Sequence, residues 1–563
     1  MDSSLKQVVS RLATGSTRHA GRDAAARARL ALETARCTAT AAADWVREAV
    51  AIKRAAAPAP AAGTARAEET ATGPLATLRL LLITARCLGQ IAAEGRPRPA
   101  AGAPRFGRGA GGRKFVEIGV LPEPGLSDVA IFGGHTATVR CIDPGGPEAF
   151  ERAWRDEAAR RSAAGGVAVV LGAGNVTALS VGDGISQIFE HGRSVVLKPH
   201  PVHAALEPVF RRALAPLIEA DLLEIVPGGT DVAAALVAEP GVGHVHLTGG
   251  EAAFDAVVWG CRGPHRAGDV PRLSKPITCE LGNVTPWIVL PARYSAAELK
   301  RQADCVAASI LNNTSFNCIA TKCLVTCRGW DQREAFLAAV ARRLAAAPAR
   351  QAWYPGATAL WEQATGTAAP ADGSLPWVLR QGIDPARDGT LLDREWFVPV
   401  AAEVPLDASG IDDFCARATE LCRRLPGTLA ASVTLPRGLS PHDARRADLL
   451  VEHLEYGTVA VNTWSALAYA TTSVPWGGFP GATLAEPGSG IGWVHDPHFL
   501  PLVHNTVLRA PLSSWMVPAW FPWHAGGERL ASGVVGMYGS RARGQSSLPQ
   551  LLAMLPAALG GGG

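Results

Sequence analysis

Cys318 lies in the segment Asn312-Asn313-Thr314-Ser315-Phe316-Asn317-Cys318-Ile319-Ala320-Thr321-Lys322, and Glu280 lies 38 positions earlier in Lys275-Pro276-Ile277-Thr278-Cys279-Glu280-Leu281-Gly282-Asn283. A thiol and a carboxylate, each following a strand-like run, can supply a nucleophile and a base for acyl chemistry. Taken singly, a cysteine is more often a small buried hydrophobe than a nucleophile. The surrounding pattern decides between the two.

Three loops carry that pattern. Gly172-Ala173-Gly174-Asn175-Val176-Thr177 follows a strand and precedes a helix, although the third glycine of a dinucleotide fingerprint is missing. Asn175 there is either a helix N-cap or an amide donor for a developing oxyanion. Lys198, in Leu197-Lys198-Pro199-His200-Pro201, ends the next strand, where a lysine can hold ribose hydroxyls or a phosphate. Leu247-Thr248-Gly249-Gly250-Glu251 again leads from strand to helix and presents helix N-terminal amides suited to a pyrophosphate.

The elements that must position these loops show in the periodicity. Pro147-Glu148 opens a helix whose Phe150, Trp154 and Ala158 share one face. Short runs apolar on both faces then alternate with helical stretches: 167–171, 194–197, 223–226 and 244–247. They predict a buried parallel sheet with right-handed crossovers, the doubly wound α/β architecture that binds nucleotides beyond its carboxyl edge. Residues 1–95 form a helical N-terminal region on the cofactor-domain side, interrupted by the Ala/Pro stretch Ala55–Pro60. A Pro/Gly/Arg-rich linker covers 96–113, a dinucleotide-binding domain 114–270 and a second α/β catalytic domain 271–465. Residues 466–510 return to the cofactor domain and the cleft. A C-terminal extension, 511–563, ends in a glycine run expected to be disordered. Its stretch with Trp515, Trp520 and Trp523 is expected to pack on the body or a neighbouring subunit, a membrane-surface contact or a channel cover being the alternatives.

Composition narrows the partners. A chain of 563 residues with 48% hydrophobic and 18% charged content can hold two or three domains with substantial cores. A net charge of +4 gives no basic field, so nucleic acid is not an expected partner. The eleven cysteines include no CxxC pair, and Cys318, Cys323 and Cys327 lack zinc spacing, so reduced thiols in a cytoplasmic protein and no metal are expected. Arg79 interrupts the apolar stretch from Leu75 to Ala85, and no membrane span is expected.

In this order of landmarks the chain resembles the aldehyde dehydrogenase superfamily. Gly174-Asn175, Lys198-Pro199, Thr248-Gly249, Glu280-Leu281-Gly282, Phe316-Asn317-Cys318, Glu395-Trp396-Phe397-Val398-Pro399 and Pro475-Trp476-Gly477-Gly478 follow one another across about residues 30–510. The resemblance implies a Rossmann-like cofactor domain beside a catalytic domain, NAD or NADP as cofactor, and oxidation of an aldehyde to a carboxylic acid through a covalent cysteine thioester. It makes Cys318 the nucleophile, Glu280 the base for the hydrolytic water, and the Asn175 amide with the Cys318 N–H the oxyanion hole. Lys198 would bind the adenosine ribose, Gly249 would adjoin the nicotinamide side, and Glu395 would bind the nicotinamide ribose with Phe397 packing nearby. It also implies a small-molecule aldehyde substrate and a homo-oligomer, dimer or tetramer.

The departures from the family pattern are specific. Phe316-Asn317 replaces a glycine-glutamine, Pro201 stands where many members carry a ribose-contacting glutamate, and Phe254 replaces a glycine after Gly249. Val398 and Asn283 each replace a further glycine. The Lys198-Pro199-His200-Pro201 run resembles the CoA-acylating branch, which generally lacks a glutamate at the position of Glu280, so hydrolysis is expected over transfer to CoA. A nucleotide-binding homologue without catalysis is the other alternative.

Overall fold

The computed structural model describes residues 2–53, 59–163, 165–263, 265, 268–514 and 517–559. Trp515, most of the Ala/Pro stretch and the terminal glycines lie outside the described residues.

Five apolar runs build the first sheet. Its parallel strands lie side by side in the order Leu223–Ile225, Ser194–Lys198, Val167–Leu171, His244–Thr248, Ile277–Glu280. Gly490–Ile491 closes it antiparallel to Ile277–Glu280. The three strands at its centre are buried along their whole length, as their lack of alternation requires. The chain order reverses beside Val167–Leu171, which puts the loops after Leu171, Lys198 and Thr248 together on one carboxyl edge. Helix Pro147–Ser162 precedes the sheet and buries Phe150, Trp154 and Ala158.

The second sheet has ten strands. Its centre runs Val503–Arg509, Thr458–Val461, Ala430–Thr434, Pro286–Val289, Cys323–Cys327, Val400–Leu406, all parallel, with Val378–Arg380 at one end. At the other end Thr136–Ile142, Lys114–Leu121 and Ala101–Arg108 continue it antiparallel. Two expectations differ here. The segment 96–113, read as a linker, contains the edge strand Ala101–Arg108; it is exposed along most of its length and so shows no apolar alternation in the sequence. Residues 114–121 and 136–142, assigned to the dinucleotide-binding domain, lie in the second sheet instead.

The N-terminal region forms helices Asp2–Ala20, Ala24–Ile52 and Ala59–Thr70, the last running through a π turn at Ala71–Leu75 into Ala76–Glu94. Asp23 caps the second by accepting from the Ala26 N–H. Pro74 and the non-helical Gly73 make the π turn, where Gly73 packs against Thr177 and Trp45. Trp45 in turn donates from Nε1 to Thr177 Oγ1 at 2.9 Å, fixing these helices against the loop that carries Asn175.

By length and composition the helix Gly63–Glu94 is apolar enough to cross a membrane, which the sequence reading did not expect, but 67% of its apolar window is buried inside the protein. Arg79 explains how. Its fully buried guanidinium donates to both Asp128 oxygens at 2.6 and 2.7 Å, to the Thr471 carbonyl at 2.6 Å and to the Tyr538 hydroxyl at 2.8 Å. One side chain thus ties the N-terminal helix, the wall near Thr471 and the C-terminal helix Gly527–Ala542. Removing one partner of such a pair leaves the other charge buried and unpaired, costing about 3–5 kcal/mol. Arg79→Met should therefore lower stability by about that amount in chemical denaturation, and Arg79→Met with Asp128→Leu should recover part of it. Parent-like stability of the single variant would show that the cluster does not hold the extension in place.

Candidate active site

Glu280 is the last residue of its strand in the first sheet, and Cys318 lies five residues before Cys323, which opens a strand of the second. The seam between the sheets brings Cys318 Sγ to 3.4 Å from Glu280 Oε1, with the thiol donating. Burial pushes the Glu280 carboxyl up to about 7, the Asp183 charge adding to it. Burial, with the Glu280 and Glu395 carboxylates, also raises the Cys318 thiol well above its ordinary range. The resting pair is therefore a thiol poised against a base whose proton affinity matches neutral pH.

The backbone before Cys318 is strained. Asn313, Thr314 and Ser315 all have positive φ, at 51°, 57° and 62°. For β-branched Thr314 this is an outlier, and each such residue costs on the order of 1–3 kcal/mol. Two buried lysines and an asparagine hold the turn. Lys53 Nζ donates to Asn313 Oδ1 at 2.7 Å and to the Asn175 carbonyl at 3.2 Å, and pairs with Glu69 at 2.5 Å. Lys322 Nζ donates to Ser315 Oγ at 2.8 Å and to the Val398 carbonyl at 2.7 Å. Asn313 Nδ2 reaches the carbonyls of Asn175 and Phe316, both at 2.9 Å.

Asn175 stands beside this turn, 4% exposed, its Nδ2 donating to the Phe316 carbonyl at 3.3 Å. An amide nitrogen carries a second hydrogen, and Asn175, Glu280, Asn317 and Cys318 line one cavity. Glu395 is also brought in: the Asn283 N–H donates to its Oε1 at 3.4 Å, and a Cβ at Gly282 would displace its carboxylate. Burial raises the Glu395 carboxyl to about 7, while burial lowers the Lys322 ammonium to about 7. Phe397 stacks 6.1 Å from Phe316 and lies 5.2 Å from Tyr354, whose ring stacks on His200 at 5.9 Å.

The loops expected to hold a dinucleotide share the carboxyl edge of the first sheet. Lys198 ends its strand with its ammonium lowered by burial, partly offset by Asp231. Gly250 caps the helix Glu251–Val258, and a Cβ on Gly250 would meet nothing within 4 Å, so the backbone there is open to a ligand's approach. The donor set suits a dinucleotide: a lysine, open helix-terminal amides and a buried carboxylate. Phe254, a departure that threatened this pocket, is fully buried in the core beneath the sheet with Leu247 and Leu281.

Sequence reasoning missed Lys53, Lys322, Trp464 and Tyr469. Trp464 donates from Nε1 to the Ile319 carbonyl at 2.6 Å, next to the nucleophile, and Tyr469 lines the same cavity. Lys322 had a local signal, four residues after Cys318; Lys53, 265 positions before Cys318, had none. Among the described residues no cluster of His, Cys, Asp and Glu is arranged to hold a metal.

These features define an α/β protein of two main sheets, with three strand-to-helix loops converging on one edge and a thiol–carboxylate pair at the seam. The family model described as "Aldehyde dehydrogenase family" matches residues 142–358, a span that includes Asn175, Lys198, Gly249, Glu280 and Cys318. A vanillin dehydrogenase from Amycolatopsis is 36% identical over 146 residues, 24% of this chain and 29% of that relative's length. An NAD-dependent aldehyde dehydrogenase from Sinorhizobium meliloti shares the fold with a TM-score of 0.60 at 17% identity, over 92% of this chain and 89% of that one. An NADP-dependent glyceraldehyde-3-phosphate dehydrogenase from Bacillus halodurans does so with a TM-score of 0.59 at 15% identity, over 90% and 91%. Residues 142–358 thus match the aldehyde dehydrogenase family model, and most of the chain shares the fold of solved aldehyde dehydrogenases.

The strained turn yields a direct test. Lys53→Met combined with Glu69→Leu removes the clamp without leaving a buried charge. The relaxed turn should expose Cys318, so that its alkylation by iodoacetamide, followed by peptide mass spectrometry, speeds up about tenfold or more. An unchanged alkylation rate would show that the turn keeps its shape without Lys53.

Proposed function

We propose that this protein oxidises an aldehyde to a carboxylic acid with NAD or NADP, through a thioester on Cys318. The observation that carries the reading is the 3.4 Å approach of Cys318 Sγ to Glu280 Oε1, beside the edge where the first sheet's loops converge. Glu280 takes the thiol proton, and the thiolate adds to the aldehyde carbonyl. The second amide hydrogen of Asn175 and the Cys318 N–H hold the resulting oxyanion. A nicotinamide dinucleotide held by Lys198, Gly249 and Glu395 would supply the hydride acceptor that turns the Cys318 adduct into a thioester. Glu280, after releasing its first proton to solvent, deprotonates a water that cleaves the thioester and restores the thiol.

Lys198 binds the adenosine ribose, Gly249 and the Gly250 helix cap approach the nicotinamide half, and Glu395 binds the nicotinamide ribose beside Phe397. The closeness of Glu280 to the sulfur supports hydrolysis over transfer to CoA, because a base within reach of the thioester can activate water. A cytoplasmic setting is part of the proposal and is supported by eleven free thiols, as is a homo-oligomer, supported by the exposed edge strand Ala101–Arg108.

Cys318→Ala should abolish aldehyde-dependent formation of reduced nicotinamide while leaving cofactor Kd within about threefold of the parent; full turnover in that variant rules out the thioester. Glu280→Gln should slow acylation and slow deacylation further, so that an acyl adduct builds up over a long incubation and is visible by intact mass. In the parent, the base works only when ionised, so single-turnover deacylation should fall as pH drops below about 7 and level off above it. Glu395 and Lys322 titrate near the same pH, so Glu395→Gln should keep that limb and Glu280→Gln should lose it. Lys198→Ala should weaken cofactor binding about tenfold or more, measured by fluorescence titration, with the acylation rate at saturating cofactor much less affected.

A further inference from the structure

The cavity that opens beside Cys318 has a volume of about 380 Å³ and is walled mainly by apolar side chains. One water needs only about 10–15 Å³ by that measure, so the space takes a tail of many carbons. Its inner end carries the polar atoms of the site, Asn175, Glu280, Asn317 and Cys318. From there the body lines it through Phe132, Trp464 and Tyr469, and the two extensions join it at Leu75 and through Trp520, Phe521, Leu551 and Met554. The connection is physical. Trp464 bonds to the carbonyl beside Cys318, its ring lies 5.4 Å from Trp520, and Trp520 packs edge-on against Phe521 at 4.6 Å. At the far end Leu555 is half exposed, and with Leu548 and Leu552 it leaves an apolar rim at the last helix.

The charged side chains of the lining do not suit a charged tail. Besides Glu280 they are Glu68, held by both of its oxygens to Arg350 at 3.0 and 2.8 Å, and Arg301, whose guanidinium lies over the Phe521 ring at 5.2 Å. A substrate carboxylate or phosphate placed along the apolar wall would lose its hydration there.

We propose that the aldehyde taken by this site carries a long apolar tail, on the order of eight to twelve carbons, lying against the wall that the N- and C-terminal extensions build. This inference rests on the oxidation proposed above and names its substrate class. Each methylene moved from water into such a wall contributes about 0.8 kcal/mol, close to fourfold in kcat/KM.

The test uses the full-length protein with NAD and with NADP, and measures kcat/KM for n-alkanals from propanal to tetradecanal and for succinic semialdehyde. The expected result is a rise of about fourfold per methylene, levelling near ten to twelve carbons, with propanal and the semialdehyde at least about 100-fold below dodecanal. Equal or better use of short or polar aldehydes overturns the substrate class while leaving the oxidation itself standing. Leu551→Glu should lower the dodecanal-to-propanal ratio of kcat/KM at least tenfold; an unchanged ratio removes the C-terminal wall from the proposal. Binding is read separately on Cys318→Ala, by tryptophan fluorescence, with dodecanoate and butanoate as probes. Dodecanoate binding at least tenfold tighter, without turnover of any aldehyde by the parent, defeats the oxidation and keeps the apolar site; equal binding of the two acids defeats the apolar site.

Discussion

A thiol and a carboxylate that meet across the seam of two sheets set the tolerances for the rest of the molecule. Each belongs to a different sheet, so their contact is only as precise as the docking of one sheet on the other. The seam is accordingly bonded on both sides. The Ser489 hydroxyl donates to the Gly282 carbonyl and accepts the Thr428 N–H, and the Leu281 N–H donates to the Ser489 carbonyl, so one residue staples the Glu280 loop to its neighbours. Burial then does the electrostatic work. With water removed, the same carboxylate that would be a weak base at a surface holds protons near neutrality.

The parts of this site that were legible in the sequence are those encoded within a few residues. Asn175, Lys198, Gly249 and Glu280 each sit at the end of a strand, and a strand end is a local event marked by an apolar run meeting a glycine, proline or polar residue. The parallel sheet could be read for the same reason: runs such as Val167–Leu171 are too uniformly apolar for a surface strand. What stayed illegible is tertiary. Lys53 looks like an ordinary helix-end lysine until its helix is docked, and Arg79 looks like a break in an apolar stretch until Asp128 is brought beside it. Ala101–Arg108 shows the converse failure, since an edge strand with little buried surface leaves no periodic trace. Phe254 was a local departure whose side chain turned out to face the core, away from the crevice it was expected to crowd.

The N-terminal helices are thereby part of the machinery. Through Lys53 they hold the left-handed turn before the nucleophile, and through Trp45 they brace the loop that presents the Asn175 amide. Strain of this kind persists only where surrounding contacts over-determine it, and here those contacts come from residues 265 positions away in sequence and from the next turn of chain alike. The C-terminal segment contributes the other half of the enclosure, with Trp464 and Trp520 forming the joint between it and the body.

The second sheet seats Thr458–Val461 and Val503–Arg509 as neighbours, although roughly forty residues separate them in the chain. The stretch between them forms helix Ala466–Thr471, pairs Gly490–Ile491 with the Glu280 strand of the first sheet, and leaves 480–487 as a surface loop between those anchors. Closing such a loop becomes harder only slowly as it grows, by about 0.6 kcal/mol for each doubling of its length. Changes of length are therefore tolerated best within 480–487, outside the paired and bonded segments on either side. One excursion of the chain thus both lines the cavity and pairs with the strand of Glu280, so what the cavity admits and how that carboxylate is held are coupled.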